Sequence, residues 1–515
     1  MKAIRRDGDE EAVRRGGHSE VTAHCRLRAR LVRQGGGVWL LAERPLRLLR
    51  VHPKVEPLLQ ALRDDPDVER VLKAVPGLRR ESAIAFLERL SDEGLAYLTW
   101  SVPDELLPTV SIVVPVRNRP RQLDACLAAL ARLEYPSDRW EVIVVDDASS
   151  DDTAARAEAW KERLALQLIR LPQQVGAAEC RNQGARAARG EIIAFTDSDC
   201  LPHPRWLREL APEFVRPSVV AVGGAVLPVD EAAWLDRYEA VESPLTHGWE
   251  PVRVQPRGAV PYLVTANMLV RRQALLDAGG FARIHPGEDV DLIWRLCARG
   301  GRVLYRPQGL VAHDHRDRLW PFLVRRASYA SSEVVLVRRH PQYRHAVVMP
   351  VALALGAGWA LWCWRRCSRW VFLFSLVPLL ADLVAAVSSV RRSGAHLPVR
   401  TLVRAELRGM LAATYWLGGT ISRYYTWPLL TLGAVLRRRP LGRWLTLVAW
   451  SSLIATAGAD YARKRPRLDP FRFVFGHILD DLANNVGLLF GCVRYRTLRP
   501  LLVELRLYWP RFRPE

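Results

Sequence analysis

The chain has few cysteines, and none of them stands in a paired C-x-x-C set. Eight cysteines occur among 515 residues. Structural zinc sites and disulfide frameworks are marked by closely and repeatedly spaced cysteines, so the sequence indicates neither. Cys363 and Cys367 are expected to be packing residues rather than ligands. This cysteine usage suits a reducing compartment.

The chain also lacks an apolar segment within its first thirty residues, which are strongly charged. A secretory signal requires such a segment, so we expect no signal peptide and a catalytic region on the cytoplasmic side. Residues 1–20 are polar, and we expect them to form a disordered tail.

Acidic residues are outnumbered by basic ones, 54 against 75, which gives a formal net charge of +21. A basic excess can indicate nucleic-acid binding, but here arginine clusters flank apolar stretches from Arg325 onward. Anionic membrane lipid is therefore the partner that we expect, and we expect no nucleic acid. The length exceeds that of one domain, and an apolar fraction of 49% supplies enough residues for a core.

Two carboxylates, Asp197 and Asp199, follow an apolar run at 191–195 that predicts a strand. Carboxylates one residue apart at the carboxyl end of a strand suit a divalent cation held against a diphosphate, because hard oxygen ligands bind a hard ion. This points to nucleotide-sugar chemistry. Taken alone, the triplet is equally consistent with a solvated turn.

The neighbouring segments predict a parallel α/β sheet. Residues 110–116 and 141–145 are β-branched runs, and a second helix is predicted to begin near 150–153. Ligands of such sheets lie beyond the carboxyl ends of the strands, where Asp147 and Asp197 both fall. A first helix is predicted between the two strands because leucines recur there at helical spacing, namely Leu123, Leu127, Leu130 and Leu133.

Glu288 and Asp289 open a further predicted helix. Because the helix dipole favours negative charge at an N-terminus, we expect Asp289 to stay ionised, as a general base requires. An N-terminal cap is the alternative role for the acidic pair. The helix is ended by Gly300-Gly301 and carries one apolar stripe, formed by Leu292, Ile293, Leu296 and Cys297.

His313 and His315 follow a short apolar strand, predicted at 302–305 and continuing to Val311. A histidine in this position can complete a metal site or serve as a hydrogen-bonded structural residue. The sequence leaves both roles open.

Residues 21–103 predict a compact unit. The pattern LLRVHPKVEPLLQAL followed by FLERLSDEGLAYL resembles the winged-helix recognition element of the PqqD type. The resemblance implies a domain that grips the leader of a ribosomally made peptide by strand addition. A DNA-binding winged helix and a packing domain are the alternatives. The predicted elements are a basic strand pair ending at 47–51, helices near 55–62, 68–75 and 81–93, and a last strand at 95–99.

The C-terminal region, 341–515, changes character after His345, with apolar stretches at 346–363, 370–390, 411–436 and 441–459. The first two are long enough to span a membrane, but three arginines between them and Asp382 within the second oppose that arrangement. We expect a helical, membrane-associated region. Interfacial or re-entrant helices and a buried soluble bundle are the alternatives. Residues 471–491 predict an amphipathic helix.

Five segments between about 110 and 315 carry a wider resemblance: VSIVVPVRNR, EVIVVDDASSDDT, GAAECRNQGARAARGEIIAFTDSDC, TANMLVRRQALLDAGGF and GEDVDLIWRL. In this order they resemble the GT-A fold glycosyltransferases of family 2. The resemblance implies an α/β chain in which residues 108–340 form a nucleotide-diphospho-sugar transferase domain. It also implies a nucleotide-sugar co-substrate.

Carried over position by position, the resemblance implies roles on the donor side. Pro115, Arg117 and Asp147 would surround the nucleobase, and Arg181 would lie beside the nucleotide. Asp197 would face the ribose.

The resemblance implies a metal site and a catalytic pair as well. Asp199 would ligate Mg²⁺ or Mn²⁺ with help from Asp197, and His313 would complete the metal shell. Asp289, with Glu288 beside it, would take a proton from the acceptor hydroxyl while that oxygen attacks the anomeric carbon from the face opposite the diphosphate. The sugar's configuration would therefore invert.

One element of processive family members, Gln-x-x-Arg-Trp, is absent, and Arg325-Arg326-Ala-Ser-Tyr329 stands in its place. This argues against synthesis of a long polysaccharide. The two arginines are expected to be either diphosphate contacts or a membrane-facing collar.

The combination of segments resembles the glycosyltransferase family of the mycofactocin system. It implies transfer of glucose from UDP-glucose onto a peptide-derived redox cofactor, mycofactocin or its precursor, with growth of a short β-linked oligosaccharide. A cell-envelope polysaccharide or polyprenyl-phosphate glycosyltransferase is the alternative enzyme. A catalytically silent membrane adaptor that binds a modified peptide is the alternative of another class.

Overall fold

The computed structural model describes residues 20–43, 46–314, 318–351, 369–392 and 397–508. Several predicted features therefore lie outside the described residues. They are residues 1–19 of the predicted tail, the two cysteines Cys363 and Cys367, His315, and most of the apolar stretch at 346–363.

The N-terminal unit has its own core between a small sheet and three helices. Leu40, Leu58 and Leu87 meet in that core and are fully buried. The predicted helices and last strand are confirmed, whereas the predicted strand pair is a three-stranded antiparallel sheet, β2-β3-β4, preceded by β1, which pairs with β5. The described elements are β1 (Thr22–Leu27), β2 (Arg30–Gln34), β3 (Gly37–Glu43), β4 (Leu46–Val51), α1 (Glu56–Asp64), α2 (Val68–Ala74), α3 (Arg80–Asp92) and β5 (Ala96–Ser101).

The central region confirms the predicted α/β architecture. Its described elements are β6 (Val110–Val116), α4 (Pro120–Leu130), β7 (Trp140–Asp146), α5 (Thr153–Ala159), β8 (Leu166–Arg170), α6 (Ala177–Ala187), β9 (Ile192–Phe195), β10 (Cys200–Pro202), α7 (Trp206–Leu210), β11 (Val219–Gly223), β12 (Val226–Pro228), α8 (Trp234–Glu242), β13 (Val252–Val254), β14 (Met268–Arg271), α9 (Arg272–Asp277), α10 (Glu288–Ala298), β15 (Arg302–Tyr305), β16 (Val311–His313) and α11 (Leu319–Arg339).

The main sheet of this region is mixed and has eight strands in the order β13-β15-β11-β14-β9-β6-β7-β8. Strands β9, β6, β7 and β8 run parallel, so their carboxyl ends share one edge. Alternate residues of β6 enter different cores, with Ile112 and Val114 on one face and Val113 on the other. Burial of both faces explains why this strand is a continuous β-branched run.

A second, three-stranded sheet, β10-β16-β12, lies beside the carboxyl edge of β9. Cys200 of β10 is opposite His313 of β16, which brings Asp199 close to that histidine. Asn267 holds this region together, because its side-chain amide donates to the carbonyls of Ala225 and Gly309 at 2.9 and 2.8 Å.

The N-terminal unit docks on the β13-β15 edge of the main sheet through ion pairs. Arg302 of β15 contacts Glu88 and Asp92 of α3 at 2.9 and 2.7 Å, and Arg253 of β13 contacts Asp92 at 3.1 Å. Because Arg302 is largely buried, removing its acidic partners would leave a largely buried charge uncompensated and destabilise the protein.

The C-terminal region is mostly helical, as predicted. Its described elements are β17 (Ala346–Pro350), α12 (Arg369–Arg392), α13 (Val399–Thr420), a π-helical turn (Ile421–Tyr425), α14 (Thr426–Val435), α15 (Pro440–Lys464), α16 (Pro470–Arg494) and β18 (Glu504–Tyr508).

The apolar stretch at 346–363, which is long enough to span a membrane, begins as the strand β17 within the described residues. Strand β17 pairs in parallel with β18. This pairing supplies hydrogen-bond partners for the backbone groups of β17. Among the described helices, none combines the length and the apolar composition that crossing a membrane requires.

Helix α16 packs along α11 at a distance that only glycine allows. A Cβ atom at Gly487 would lie 1.9 Å from the carbonyl oxygen of Ala327, and one at Gly491 would lie 2.9 Å from that of Ser331. These glycines therefore bring the C-terminal region into backbone contact with the central region.

The close packing predicts the effect of one methyl group. Gly487→Ala should lower the free energy of unfolding by about 1–3 kcal/mol or more, because the helices must separate to admit the methyl group. Gly458→Ala is the matched control, since no atom lies within 4 Å of a Cβ there and alanine is the better helix former. Equal unfolding transitions of both variants in urea would contradict the backbone contact.

Candidate active site

The loops at the carboxyl edge of the main sheet bring the predicted donor residues together. Pro115 is buried in β6, and the side chain of Arg117 is exposed just beyond it. Asp147 follows β7 and is buried, where its carboxylate accepts the backbone N–H groups of Val175 and Gly176 at 2.6 and 3.0 Å. Asp147 thus fixes the turn that leads into α6.

Asp197 and Asp199, one residue apart, have different partners. Asp197 Oδ1 accepts a hydrogen bond from Arg181 Nη2 at 2.7 Å. Asp199 Oδ1 lies 3.7 Å from His313 Nε2, and its Oδ2 forms an ion pair with Arg119. The two carboxylates therefore have separate partners among the described residues, and their joint role as metal ligands stays a prediction.

Asp199, Cys200 and His313 place their donor atoms within 4.8 Å of one another. Burial raises the pKa of the Cys200 thiol well above its usual value, and a soft sulfur ligand does not suit a hard ion such as Mg²⁺ or Mn²⁺. The Asp199 carboxylate is the oxygen donor that Mn²⁺ and Mg²⁺ prefer, and the His313 imidazole would add a nitrogen ligand. Among the described residues, Asp199 and His313 are thus the protein groups that would hold the ion.

Arg181 is a buried cation between the two halves of the site. Its Nη1 donates to Glu288 Oε1 at 2.9 Å while Nη2 contacts Asp197. Burial alone would lower the pKa of this guanidinium, but the two carboxylates outweigh burial and raise the pKa. Arg181 therefore stays charged and links the end of β9 to the start of α10.

Glu288 is held ionised at the start of α10. Burial opposes its charge, yet a hydrogen bond from His285 and the charge of Arg181 lower its pKa. His285 Nδ1 lies 3.3 Å from the carboxylate, and the same contact raises the histidine's pKa.

The pKa of Asp289 is raised, whereas the helix dipole alone predicts a low pKa. Burial and the adjacent charge of Glu288 raise its pKa to about 7, although Oδ1 accepts the Val290 N–H at 2.8 Å. Desolvation and a neighbouring like charge outweigh the dipole here. A carboxyl group that titrates near neutral pH is well matched to accept a proton from a hydroxyl group.

Asp291, the next acid of α10, is committed elsewhere. It is fully buried and is bound by Arg295, Arg339 and His340 at 2.8, 2.7 and 2.9 Å. It ties α10 to the end of α11 and is not available for catalysis.

Arg325 and Arg326 of α11 are neither diphosphate contacts nor a membrane-facing collar. Arg325 contacts Glu239 of α8 at 2.7 Å, and Arg326 contacts Asp480 of α16 at 3.2 Å. Both side chains are buried where α8, α11 and α16 meet. They join the C-terminal region to the central one.

Two side chains of this site, Arg119 and His285, are given no role by any motif in the sequence. Arg119 lies in the same segment as Arg117, so its position at the end of a strand was the available signal. His285 stands three residues before Glu288, a spacing at which side chains meet at a helix start.

The sequence profile described as Glycosyl transferase family 2 matches residues 111–278. A relative from Mycobacterium tuberculosis, named pre-mycofactocin glycosyltransferase, is 33% identical over 493 residues, which cover 92% of this chain and 95% of the relative. Glycosyltransferase AglE from Haloferax volcanii is 31% identical over 215 residues, covering 41% of this chain and 68% of that protein.

Among solved structures, the mannosyltransferase PcManGT from Pyrobaculum calidifontis, in complex with GDP-Man and Mn²⁺, is 22% identical and aligns with 70% of this chain and 89% of its own. Its TM-score of 0.37 is too low to support an argument about ligands. The identity along almost the whole length of the M. tuberculosis relative carries the assignment instead: this chain belongs to the family 2 glycosyltransferases and is an enzyme of that class.

Proposed function

We propose that this chain is an inverting, metal-dependent glycosyltransferase that moves glucose from UDP-glucose onto mycofactocin or its precursor and builds a short β-linked oligosaccharide. The observation that carries the proposal is the 33% identity to a pre-mycofactocin glycosyltransferase across 92% of the chain. The absence of Gln-x-x-Arg-Trp from this sequence favours a short product.

On the donor side, Pro115, Arg117 and Asp147 contact the nucleobase, and Arg181 and Asp197 lie toward the ribose. The ion held by Asp199 and His313 would neutralise charge on the diphosphate leaving group. The convergence of these residues at the carboxyl edge of the sheet supports this arrangement.

On the acceptor side, Asp289 takes the proton of the attacking hydroxyl group. Two neighbouring charges set the pKa of Asp289, because Glu288 raises it and Arg181 lowers it. Its pKa of about 7 supports this role.

The N-terminal unit is proposed to recognise the peptide part of the acceptor, as a PqqD-like element would. Strands β2 and β4 are the two edges of their sheet within the described residues, and an edge strand can pair with an extended peptide.

The C-terminal region is proposed to lie on a membrane, with the catalytic region on the cytoplasmic side. Helix α16 supports this, because several of its polar side chains are buried while one set of its apolar side chains is exposed on the outward side. Asp480 accepts from Tyr238 at 3.1 Å, and Asn485 donates to the Ser422 carbonyl at 2.7 Å. The outward stripe is exposed and consists of Phe471, Phe475, Val486, Phe490 and Val493.

Helix α15 also has an exposed apolar side. Leu447, Trp450 and Ile454 are exposed along one side of it. The exposed arginines at 437–439 stand beside these apolar faces in sequence and suit anionic headgroups.

The acceptor can be tested directly with purified full-length protein. We expect UDP-glucose and the mycofactocin precursor to give a glycosylated product by mass spectrometry, and excess EDTA to abolish it. Transfer to polyprenyl phosphate instead would favour the envelope alternative. A protein that neither transfers glucose nor hydrolyses UDP-glucose with Mn²⁺ present would favour the silent adaptor.

The pH dependence of turnover should report Asp289. Because only the ionised carboxylate accepts a proton, kcat/KM should rise with pH up to about 7 and then level. Asp289→Asn should remove this rise and lower turnover by about a hundredfold or more. Glu288→Gln removes the neighbouring negative charge, so it should move the rise to lower pH. A pH profile that Glu288→Gln leaves in place would assign the titration to another group.

The outward stripe of α16 should govern membrane binding. Replacing both Phe475 and Phe490 by Gln should lower binding to phosphatidylglycerol vesicles by about tenfold or more, because two aromatic side chains no longer insert. Leu106→Gln is the control, since Leu106 is comparably exposed but lies outside the C-terminal helices. Co-sedimentation measures both, and an equal loss in the two variants would contradict the proposed orientation.

A further inference from the structure

The Asp199 carboxylate, which the metal would need, is also bound by Arg119. Arg119 Nη1 forms an ion pair with Asp199 Oδ2, while Asp199 Oδ1 faces His313. A divalent ion and a guanidinium that share one carboxylate compete for it, because each weakens the hold of the other through like-charge repulsion.

Arg119 and Arg181 differ in how firmly they are held. Arg181 is buried, with a side-chain exposure of 5%, and has a carboxylate on each side. The Arg119 side chain is 41% exposed, and Asp199 is the acid with which it pairs among the described residues. Arg181 is therefore a fixed cation, whereas the guanidinium of Arg119 already reaches solvent and can leave Asp199 once another cation compensates that largely buried carboxylate.

The backbone of Arg119 is fixed even though its side chain is not. Its N–H donates to Thr153 Oγ1 at 3.0 Å, which ties the loop after β6 to the start of α5. The neighbouring Asn118 supports the same tie, because its side-chain oxygen accepts the Ser150 N–H at 2.9 Å. Movement of the guanidinium is thus confined to rotation of the side chain above the carboxyl edge of the sheet.

We propose that Arg119 is an exchangeable counter-cation of the donor site. The guanidinium of Arg119 would leave Asp199 when that carboxylate holds a divalent ion, and it would then bind the diphosphate of the donor. This inference rests on the proposed nucleotide-sugar function.

The exchange has a consequence that a purely structural arginine would not have. Arg119 opposes binding of the ion alone, because it occupies the carboxylate, and it favours binding of the ion together with a nucleotide diphosphate. Metal and nucleotide binding are therefore coupled through one side chain, and the coupling is reciprocal.

The test measures binding of Mn²⁺ and UDP to the full-length protein without turnover. For Arg119→Gln we expect Mn²⁺ alone to bind several-fold more tightly, by the loss of the free-ion electron paramagnetic resonance signal. We expect UDP at saturating Mn²⁺ to bind about tenfold more weakly by titration calorimetry, as for loss of one charge-assisted contact. Arg119→Lys keeps the charge and should restore most of both affinities.

Opposite signs of the two changes support the exchange. Arg119→Gln that weakens both affinities together, or leaves Mn²⁺ affinity unchanged, overturns it while leaving the proposed function intact. An unaltered protein that binds neither Mn²⁺ nor UDP overturns the proposed function and this inference with it. Asp199→Ala provides the reference for lost Mn²⁺ binding in both titrations.

Discussion

The shared guanidinium of Arg181 is the interaction on which the geometry of the site depends. It contacts Asp197 at 2.7 Å on the donor side and Glu288 at 2.9 Å on the acceptor side. Without it, two carboxylates would face each other across a largely buried space, at a cost of several kcal/mol. Its charge also lowers the pKa of Asp289 against the combined effect of burial and Glu288. One side chain thus sets both the separation of the two half-sites and the working pH of the proposed base.

Helix α11 connects this site to the C-terminal region. On one side, a Cβ at Gly287, where α10 begins, would lie 3.3 Å from Leu336 and from Ser332 of α11. On another side, α11 meets α16 at Gly487 and pairs Arg326 with Asp480. The buried charge of Asp480 therefore joins α16 to a helix that forms a wall of the site, while Phe475 and Phe490 of α16 are exposed on the outside. A membrane-bound face of α16 would lie one helix away from the proposed base.

Local patterns in the sequence predicted the elements but not their long-range partners. The β-branched run at 110–116 is the strand β6 from end to end, and the acidic pair at 288–289 begins α10, because both depend on neighbouring residues. Arg326 pairs with Asp480, 154 residues away, and Asp291 pairs with Arg339, 48 residues away. No local sequence period indicates such pairs. The raised pKa of Asp289 was not predicted for the same reason. The helix dipole is a local property, whereas burial depends on the whole fold. Residues that share a strand end were predictable as a group, whereas the division of Asp197 and Asp199 between Arg181 and His313 was not.

The N-terminal unit and the C-terminal region contact each other as well as the central region. Trp39 of β3 is almost fully buried against Val390 of α12 and Leu402 of α13. On another face of the N-terminal unit, Glu88 and Asp92 form ion pairs with Arg302 of the central region. Removing residues 21–103 would therefore expose an apolar face of the C-terminal helices and strip a largely buried arginine of its partners. Peptide recognition is better separated from folding by a single substitution on the edge strand β2, where the exposed Arg33 pairs with Glu56 of the same unit and lies at neither interface.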